Sequence, residues 1–335
     1  MIDGRLADFN DNTPSHSLNH TSKEPQLNNT SDPAAYGTAV TKPSDFDAFW
    51  ATIKDQADAI PLNATVTPVP MRSTEEVEVF EVHYDSLDNV RIAGWYCLPR
   101  QRRAPLPAVV FYPGYISEPT FPKSHAAKGY AAFGAAPRGK LRSNRQVNPG
   151  YPGLLAHNII DRNSYAYKGF YVDAWRVIDF LQSRPEVDSR RIGIRGGSQG
   201  GALTLLTAAM CPTVAVAAAG APYLAGVIDA IELTNTYPYR EINDYLRIHP
   251  ASHAAIAETW SYYDCHNFVD RIRCPIIVNI GLQDNVCPPE TGYEVFKRIG
   301  STDKQFYPYD GHAHDAGGFH HEAIIDAFFA KHLQP

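Results

Sequence analysis

Residues 191–195 read Arg-Ile-Gly-Ile-Arg, run into Gly196-x-Ser198-x-Gly200, and continue directly into an Ala/Leu-rich stretch over 201–210. A strand that turns within a few residues into a helix belongs to a sheet wound by crossovers. A serine at the apex of that turn, with glycines on both sides, is a nucleophile elbow. The turn lifts a hydroxyl clear of the backbone, and the glycines allow it because they carry no Cβ. The bare pattern is weak, and a Gly-rich turn with an incidental serine is the alternative. The apolar strand before it and the helix after it supply the setting the motif requires, so Ser198 is the candidate nucleophile.

The 335 residues and 44% hydrophobic content allow a sizeable core. Short apolar strands and helices alternate from about residue 75 onward without a Pro/Gly/Ser-rich linker, so a single domain over 41–335 is expected. Residues 1–40 are rich in Asn, Ser, Thr, Asp and Pro, and the expectation there is a mobile tail or a surface wrap. A net charge of −6 leaves no footprint for nucleic acid or anionic lipid. The five cysteines, Cys97, Cys211, Cys265, Cys274 and Cys287, have no C-x-x-C spacing and read as buried free thiols of a reducing compartment. No apolar run reaches the about 18 residues of a membrane span, and the N-terminus has no secretory pattern. A cytoplasmic protein is expected.

Phe46, Phe49, Trp50, Ile53, Ala57 and Ile60 recur at helical spacing behind Ser44 or Asp45 as a cap. Val77, Val79, Val82 and Tyr84, then residues 91–98 after a turn at 86–89, predict a leading antiparallel pair. Apolar runs at 108–112, 130–135, 192–194, 214–219, 275–280 and 305–309 predict strands buried on both faces of a mostly parallel sheet. Helices are expected at 164–183 and 201–210. The stretch 223–268 is polar, aromatic and helical in character. It is too long for a plain connection and reads as a helical cap over the site.

A nucleophilic serine needs a base, an acid that orients the base, and donors for the oxyanion. In such a sheet the chain order is serine, carboxylate, histidine. Asp284 follows the run 275–280, where a strand-end loop aims a carboxylate at the site; a turn-capping aspartate is the alternative. Two histidines follow the last strand, His312 and His314, and either reaches Ser198 on pattern alone. With Asp310 and Asp315 they also admit a zinc reading. His320 and His321 read as surface residues. For the oxyanion, one donor is the backbone N–H of Gln199 at a helix N-terminus. The second is expected from Tyr115, because Gly114 lets the chain turn inward; a surface aromatic is the other reading of Tyr115.

Gly196-Gly197-Ser198-Gln199-Gly200-Gly201, the run Asp284-Asn285-Val286-Cys287-Pro288-Pro289, and Tyr115 after Gly114 together resemble the acetyl xylan esterase and cephalosporin-C deacetylase family, carbohydrate esterase family seven. The similarity runs from about Asp45-Phe46-Asp47 to the C-terminus. It includes Tyr151-Pro152-Gly153, Tyr237-Pro238-Tyr239-Arg240-Glu241-Ile242 and Ser261-Tyr262-Tyr263-Asp264. The resemblance implies an α/β-hydrolase fold and cofactor-free removal of acetyl groups from xylooligosaccharides and similar small esters. It implies Ser198 as nucleophile, Asp284 as acid, Tyr115 and Gln199 as oxyanion donors, and Pro222 and Val286 lining a methyl-sized pocket with Tyr115.

Three departures stand out. The family's Arg-Gly-Gln is Arg138-Gly139-Lys140 here. The segment from there to Tyr151 is shorter than usual; in relatives it helps build a ring-shaped hexamer, so a homo-oligomer is expected with the hexamer in question. The family's histidine aligns with His314 counted back from the final helix and with His312 counted forward from Tyr307-Pro308-Tyr309; His314 is preferred. The rival readings are a prolyl-oligopeptidase-type serine peptidase, which lacks its gating domain here, and an inactive hydrolase fold used for binding.

Overall fold

The computed structural model describes residues 32–335 apart from 104, 151 and 152. The first 31 residues of the polar N-terminal segment therefore lie outside the described residues, as do Tyr151 and Pro152. Residues 32–40 run along the surface: the Thr38 hydroxyl donates to the Asp229 carboxylate, and Lys297 Nζ donates to the Tyr36 carbonyl at 3.0 Å.

Helix α1 (Phe46–Asp58) buries Phe46, Trp50, Ile53 and Ala57 on one face. Its expected cap is not made. Asp45 occupies the N-cap position without a capping bond, and its carboxylate instead accepts a 2.5 Å hydrogen bond from the Tyr262 hydroxyl. Strand β1 (Thr65–Pro68), absent from the sequence reading, pairs antiparallel with β2 (Val77–Asp85), which pairs with β3 (Arg91–Pro99). The leading pair is thus a three-stranded antiparallel ribbon. Then follow β4 (Leu106–Tyr112), α2 (Lys123–Ala127), β5 (Ala131–Ala136), α3 (Ala166–Gln182), β6 (Val187–Gly197), α4 (Gln199–Met210) and β7 (Val214–Gly220). Helices α5 (Val227–Leu233), α6 (Arg240–Ile248) and α7 (His253–Tyr263) fill the stretch before β8 (Ile276–Gly281). Finally come α8 (Pro289–Arg298), β9 (Lys304–Tyr309) and α9 (Gly318–Leu333).

The nine strands form one sheet in the order β1-β2-β3-β5-β4-β6-β7-β8-β9. From β5 to β9 the pairing is parallel throughout. The chain leaves β4 for β5 on one side and later returns to β6 on the other. The carboxyl ends of β4 and β6 therefore border the switch point, where an open α/β sheet leaves a crevice. Register aligns those ends: Tyr112 lies opposite Gly196, Gly197 opposite Gly220, Gly220 opposite Asn279, and Gly281 opposite Tyr309. The five loops that follow these strand ends carry Tyr115, Ser198, Pro222, Asp284 and His314, so one edge of the sheet collects every residue singled out for chemistry.

Alternation along the strands divides the core. Ala108 and Val110 of β4 face α3 and α4, whereas Val109 joins Val216, Ala218 and Ile277 beneath Ile325, Phe328, Phe329 and Leu333 of α9. Helix α7, the last of the three helices between β7 and β8, and the turn after it are held to α1 and to the start of α3 through aromatic rings. Trp50 packs against Tyr263 and Phe268 at centroid distances of 5.3 and 5.2 Å, and Tyr165 against Trp260 at 5.4 Å. Trp50 Nε1 donates to the Tyr262 carbonyl at 2.8 Å, and the Tyr171 hydroxyl to that of Tyr263 at 2.8 Å. No helix among the described residues is long and apolar enough to cross a membrane.

Candidate active site

Ser198 sits at φ 57° and ψ −123°, a conformation that a residue with a Cβ holds only under strain, at a cost of about 1–3 kcal/mol. Its surroundings keep it there. Its N–H donates to the Gly220 carbonyl at 2.9 Å, and its carbonyl accepts from Ala202 and Tyr223, both at 3.1 Å. The glycines of the motif serve closeness rather than φ. A Cβ on Gly196 would lie 2.5 Å from the Gly200 carbonyl carbon, one on Gly200 would lie 2.3 Å from the Tyr112 oxygen, and one on Gly201 would lie 2.6 Å from the Gly220 oxygen. α4 is therefore driven into the notch between β4 and β7. The first helical residue after Ser198 is Gln199, whose N–H is one of the donors a helix N-terminus leaves without an intrahelical partner.

Asp284 is buried, and each carboxylate oxygen has a donor. Oδ1 accepts from the N–H groups of Val286 and Cys287 at 2.8 and 2.9 Å, and Oδ2 lies 2.8 Å from His314 Nδ1. A proton on Nδ1 then donates to the carboxylate and leaves Nε2 free to accept. His312 pairs elsewhere, its Nδ1 2.6 Å from Asp315 Oδ2. The carboxylate beside His314 in sequence, Asp315, thus turns to His312, and His314 pairs with Asp284 instead. Asp310 accepts from Gln283 Nε2 at 3.0 Å, so the two histidines and two aspartates of the zinc reading do not converge. The Ser198 hydroxyl meets the Cys287 thiol, a contact the sequence reading missed, and burial holds that thiol's pKa far above its usual range. Ligand-type atoms of Asp284, Cys287 and His314 lie within 4.8 Å of one another. Both Asp284 oxygens already have donors, which leaves this trio a poor cation cradle. Among the described residues Ser198 Oγ makes no hydrogen bond to either histidine; such bonds commonly tighten only with substrate.

The loop after β4 is anchored twice. The Tyr115 hydroxyl donates to Glu241 Oε1 at 2.6 Å, and the Leu155 N–H donates to Glu241 Oε2 at 3.1 Å. Burial raises the Glu241 carboxyl to about 7. From the other side, Lys140 Nζ donates to the Gly114 carbonyl at 2.5 Å and to that of Tyr115. Arg138, two residues earlier, is committed to Asp173 of α3, with Nε 2.8 Å from Oδ2 and Nη2 3.0 Å from Oδ1. Gly169 makes room for this guanidinium, since a Cβ there would fall 2.0 Å from Nη1. Pro222 is buried behind α4, and Val286 is half-buried against the main core. Gln199 is fully buried, and its side-chain oxygen accepts from the Tyr167 hydroxyl at 3.0 Å.

Two cavities flank these loops. One of about 550 Å³ runs from Tyr112 and Gly197 to His314 and the start of α9; one of about 240 Å³ lies between Tyr115, Lys140, Leu154 and Glu241. His321, expected at the surface, is buried, because its turn of α9 faces the sheet; its Nδ1 lies 2.9 Å from the Tyr309 hydroxyl. His320 is exposed.

A family described as Acetyl xylan esterase (AXE1) matches residues 31–332. The acetyl esterase Axe7A of Xylanibacter ruminicola is 31% identical over 272 residues, which cover 77% of this chain and 60% of that protein. The chain therefore spans little more than half the length of this relative. Among solved structures, an acetyl xylan esterase from Paenibacillus sp. R4 is 32% identical, covers 91% of this chain and 99% of that one, and superposes with a TM-score of 0.84. Acetyl xylan esterase 1 of a Thermoanaerobacterium species shares the fold with a TM-score of 0.82 at 22% identity, over 90% of this chain and 98% of that one. The fold is that of the α/β-hydrolases, and the chain belongs to the acetyl xylan esterase family, a family of carboxylic ester hydrolases.

Proposed function

We propose that this protein removes acetyl groups from acetylated xylooligosaccharides and related small esters, cephalosporin C-like esters included, through an acyl-enzyme on Ser198. The observation that carries the reading is the buried Asp284 paired at 2.8 Å with His314 beside a strained serine elbow, in a chain of this family. Ser198 Oγ attacks the ester carbonyl carbon and gives its proton to His314 Nε2, while Asp284 stabilises the imidazolium. The N–H groups of Gln199 and Tyr115 receive the oxyanion. The tetrahedral centre collapses, the C–O bond to the sugar breaks, and His314 returns the proton to the leaving alcohol. Water then repeats the sequence and releases acetate. No step calls for a cofactor.

In this reading residues 41–335 act as one hydrolase domain, with the helical stretch about 223–268 as its cap. Tyr115, Pro222 and Val286 bound a methyl-sized acyl pocket. The partner is a small ester substrate, and the homo-oligomer and cytoplasmic location remain part of the proposal; the free cysteines suit a reducing compartment. The test is an acyl series. Each methylene beyond acetyl should cost roughly 1–3 kcal/mol in kcat/KM, and equal rates on acetyl and octanoyl esters would refute the small pocket. Ser198→Ala should lose about four or more orders of magnitude in kcat, with the fold retained, and a sulfonyl fluoride should label Ser198. Turnover of an aminoacyl anilide in preference to p-nitrophenyl acetate would favour the peptidase reading.

A further inference from the structure

Lys140 stands where the family's glutamine is expected. It is buried, 5% exposed, at the end of a loop after β5. A buried ammonium is costly unless each proton finds an acceptor, and this one finds the carbonyls of Gly114 and Tyr115. The first of these contacts has a geometric consequence. The Gly114 carbonyl and the Tyr115 N–H belong to one peptide group, which is planar and trans, so the two bonds point in opposite directions. A cation that holds the oxygen on its own side directs the N–H away from itself.

We propose that Lys140 is a positioning residue: its ammonium holds the Gly114–Tyr115 peptide in the orientation that presents the Tyr115 N–H to the oxyanion. The proposal rests on the reading of Tyr115 as an oxyanion donor. Glu241 holds the same residue by its ring, so α6 and the loop after β5 fix side chain and backbone separately. A charge-assisted bond is about twice as strong as a neutral one, and the clamp weakens when Lys140 loses its proton. Burial brings Lys140 down to about 8, opposed by the charge of Glu118. The other groups facing it are settled above neutrality. Arg138 is tied to Asp173 and Asp88, Glu241 is charged above about 7, and burial keeps the Tyr115 phenol neutral. A rate governed by the triad alone holds level once the histidine is neutral; here kcat should fall as pH rises past about 8.

The experiment measures p-nitrophenyl acetate turnover by the full chain over about pH 6 to about pH 10, corrected for spontaneous hydrolysis. Lys140→Met should lower kcat at neutral pH about ten- to hundredfold, less than the 10²–10³ lost with an oxyanion donor itself, with KM nearly unchanged and no further fall near pH 8. Lys140→Gln, a neutral donor, should recover most of the rate and show no alkaline fall; Lys140→Arg should also lose the fall. A Lys140→Met enzyme with the wild-type kcat and pH profile would overturn the proposal. Should that variant not fold by circular dichroism, Lys140→Arg decides: a fall retained near pH 8 overturns it, and a level profile supports it. Labelling of Ser198 and an inactive Ser198→Ala in the same series separate failure of this clamp from failure of the esterase reading, since an active Ser198→Ala would overturn both.

Discussion

His314→Ala should abolish turnover nearly as fully as loss of Ser198, because members of a triad act as a unit, whereas His312→Ala should keep most of kcat. The difference follows from the partners: His314 has the buried Asp284, while His312 has Asp315 in a half-exposed pair of the kind that contributes little. Steady-state kinetics of both variants decides, and an inactive His312→Ala beside an active His314→Ala would reverse the assignment. The places of Ser198 and Asp284 in the fold were legible because a strand-turn-helix pattern and a strand-end position mark them. The histidine was not, since two candidates lie two residues apart on one loop and only the tertiary path of that loop selects between them. Glu241 lay inside a segment already singled out for its resemblance, yet its bond to Tyr115 joins residues 126 apart, a relation without local signature. Cys287 was likewise visible only as part of a motif.

Among the elements, the elbow is the most tightly specified. Gly200→Ala places a Cβ 2.3 Å from a backbone oxygen of β4, which no side-chain rotation relieves. The expected cost is about 3 kcal/mol, the upper part of the range for overpacking, read as a lowered urea midpoint; an unchanged midpoint would show that α4 shifts freely. A second element-scale dependence is the buried pair of Arg138 and Asp173, which ties the loop after β5 to α3. Asp173→Asn leaves a buried guanidinium with only the exposed Asp88 carboxylate as counter-ion and should cost about 3 kcal/mol, again by chemical denaturation, with wild-type stability as the refuting result. The strands buried on both faces announced themselves as apolar runs, so their order along the chain was readable. β1 was not, because Thr65–Pro68 is a short, mostly exposed edge strand with no apolar periodicity and a proline at its end. The strand Val187–Gly197 outran its apolar centre for a similar reason: its first half carries Asp188, Arg190 and Arg191, whose side chains pair at the surface.

At the scale of the whole molecule, Glu241 couples stability to pH. Its carboxyl is raised from 4.5 to about 7 in the folded protein, so between those values the folded state holds a proton that the unfolded state has released. Stability therefore falls as pH rises through that window. Glu241→Gln removes this contribution, and the melting temperature of the variant relative to wild type should climb from about pH 4.5 to about pH 7 and then level. A constant difference across the window would show that Glu241 does not titrate there. Trp50 of α1, Tyr165 just before α3 and Tyr171 of α3 staple α7, the last helix between β7 and β8, by ring contacts with Tyr263 and by two hydrogen bonds to the Tyr262 and Tyr263 carbonyls. With the helical stretch acting as the cap proposed above, the part formed by α7 is held from two sides, and the entrance to Ser198 is expected to work as a sieve of fixed mesh. Substrates would then be sorted by their cross-section as they arrive, and an acetyl group on a stiff, bulky carrier is expected to be turned away by shape alone, however well its ester would fit the serine.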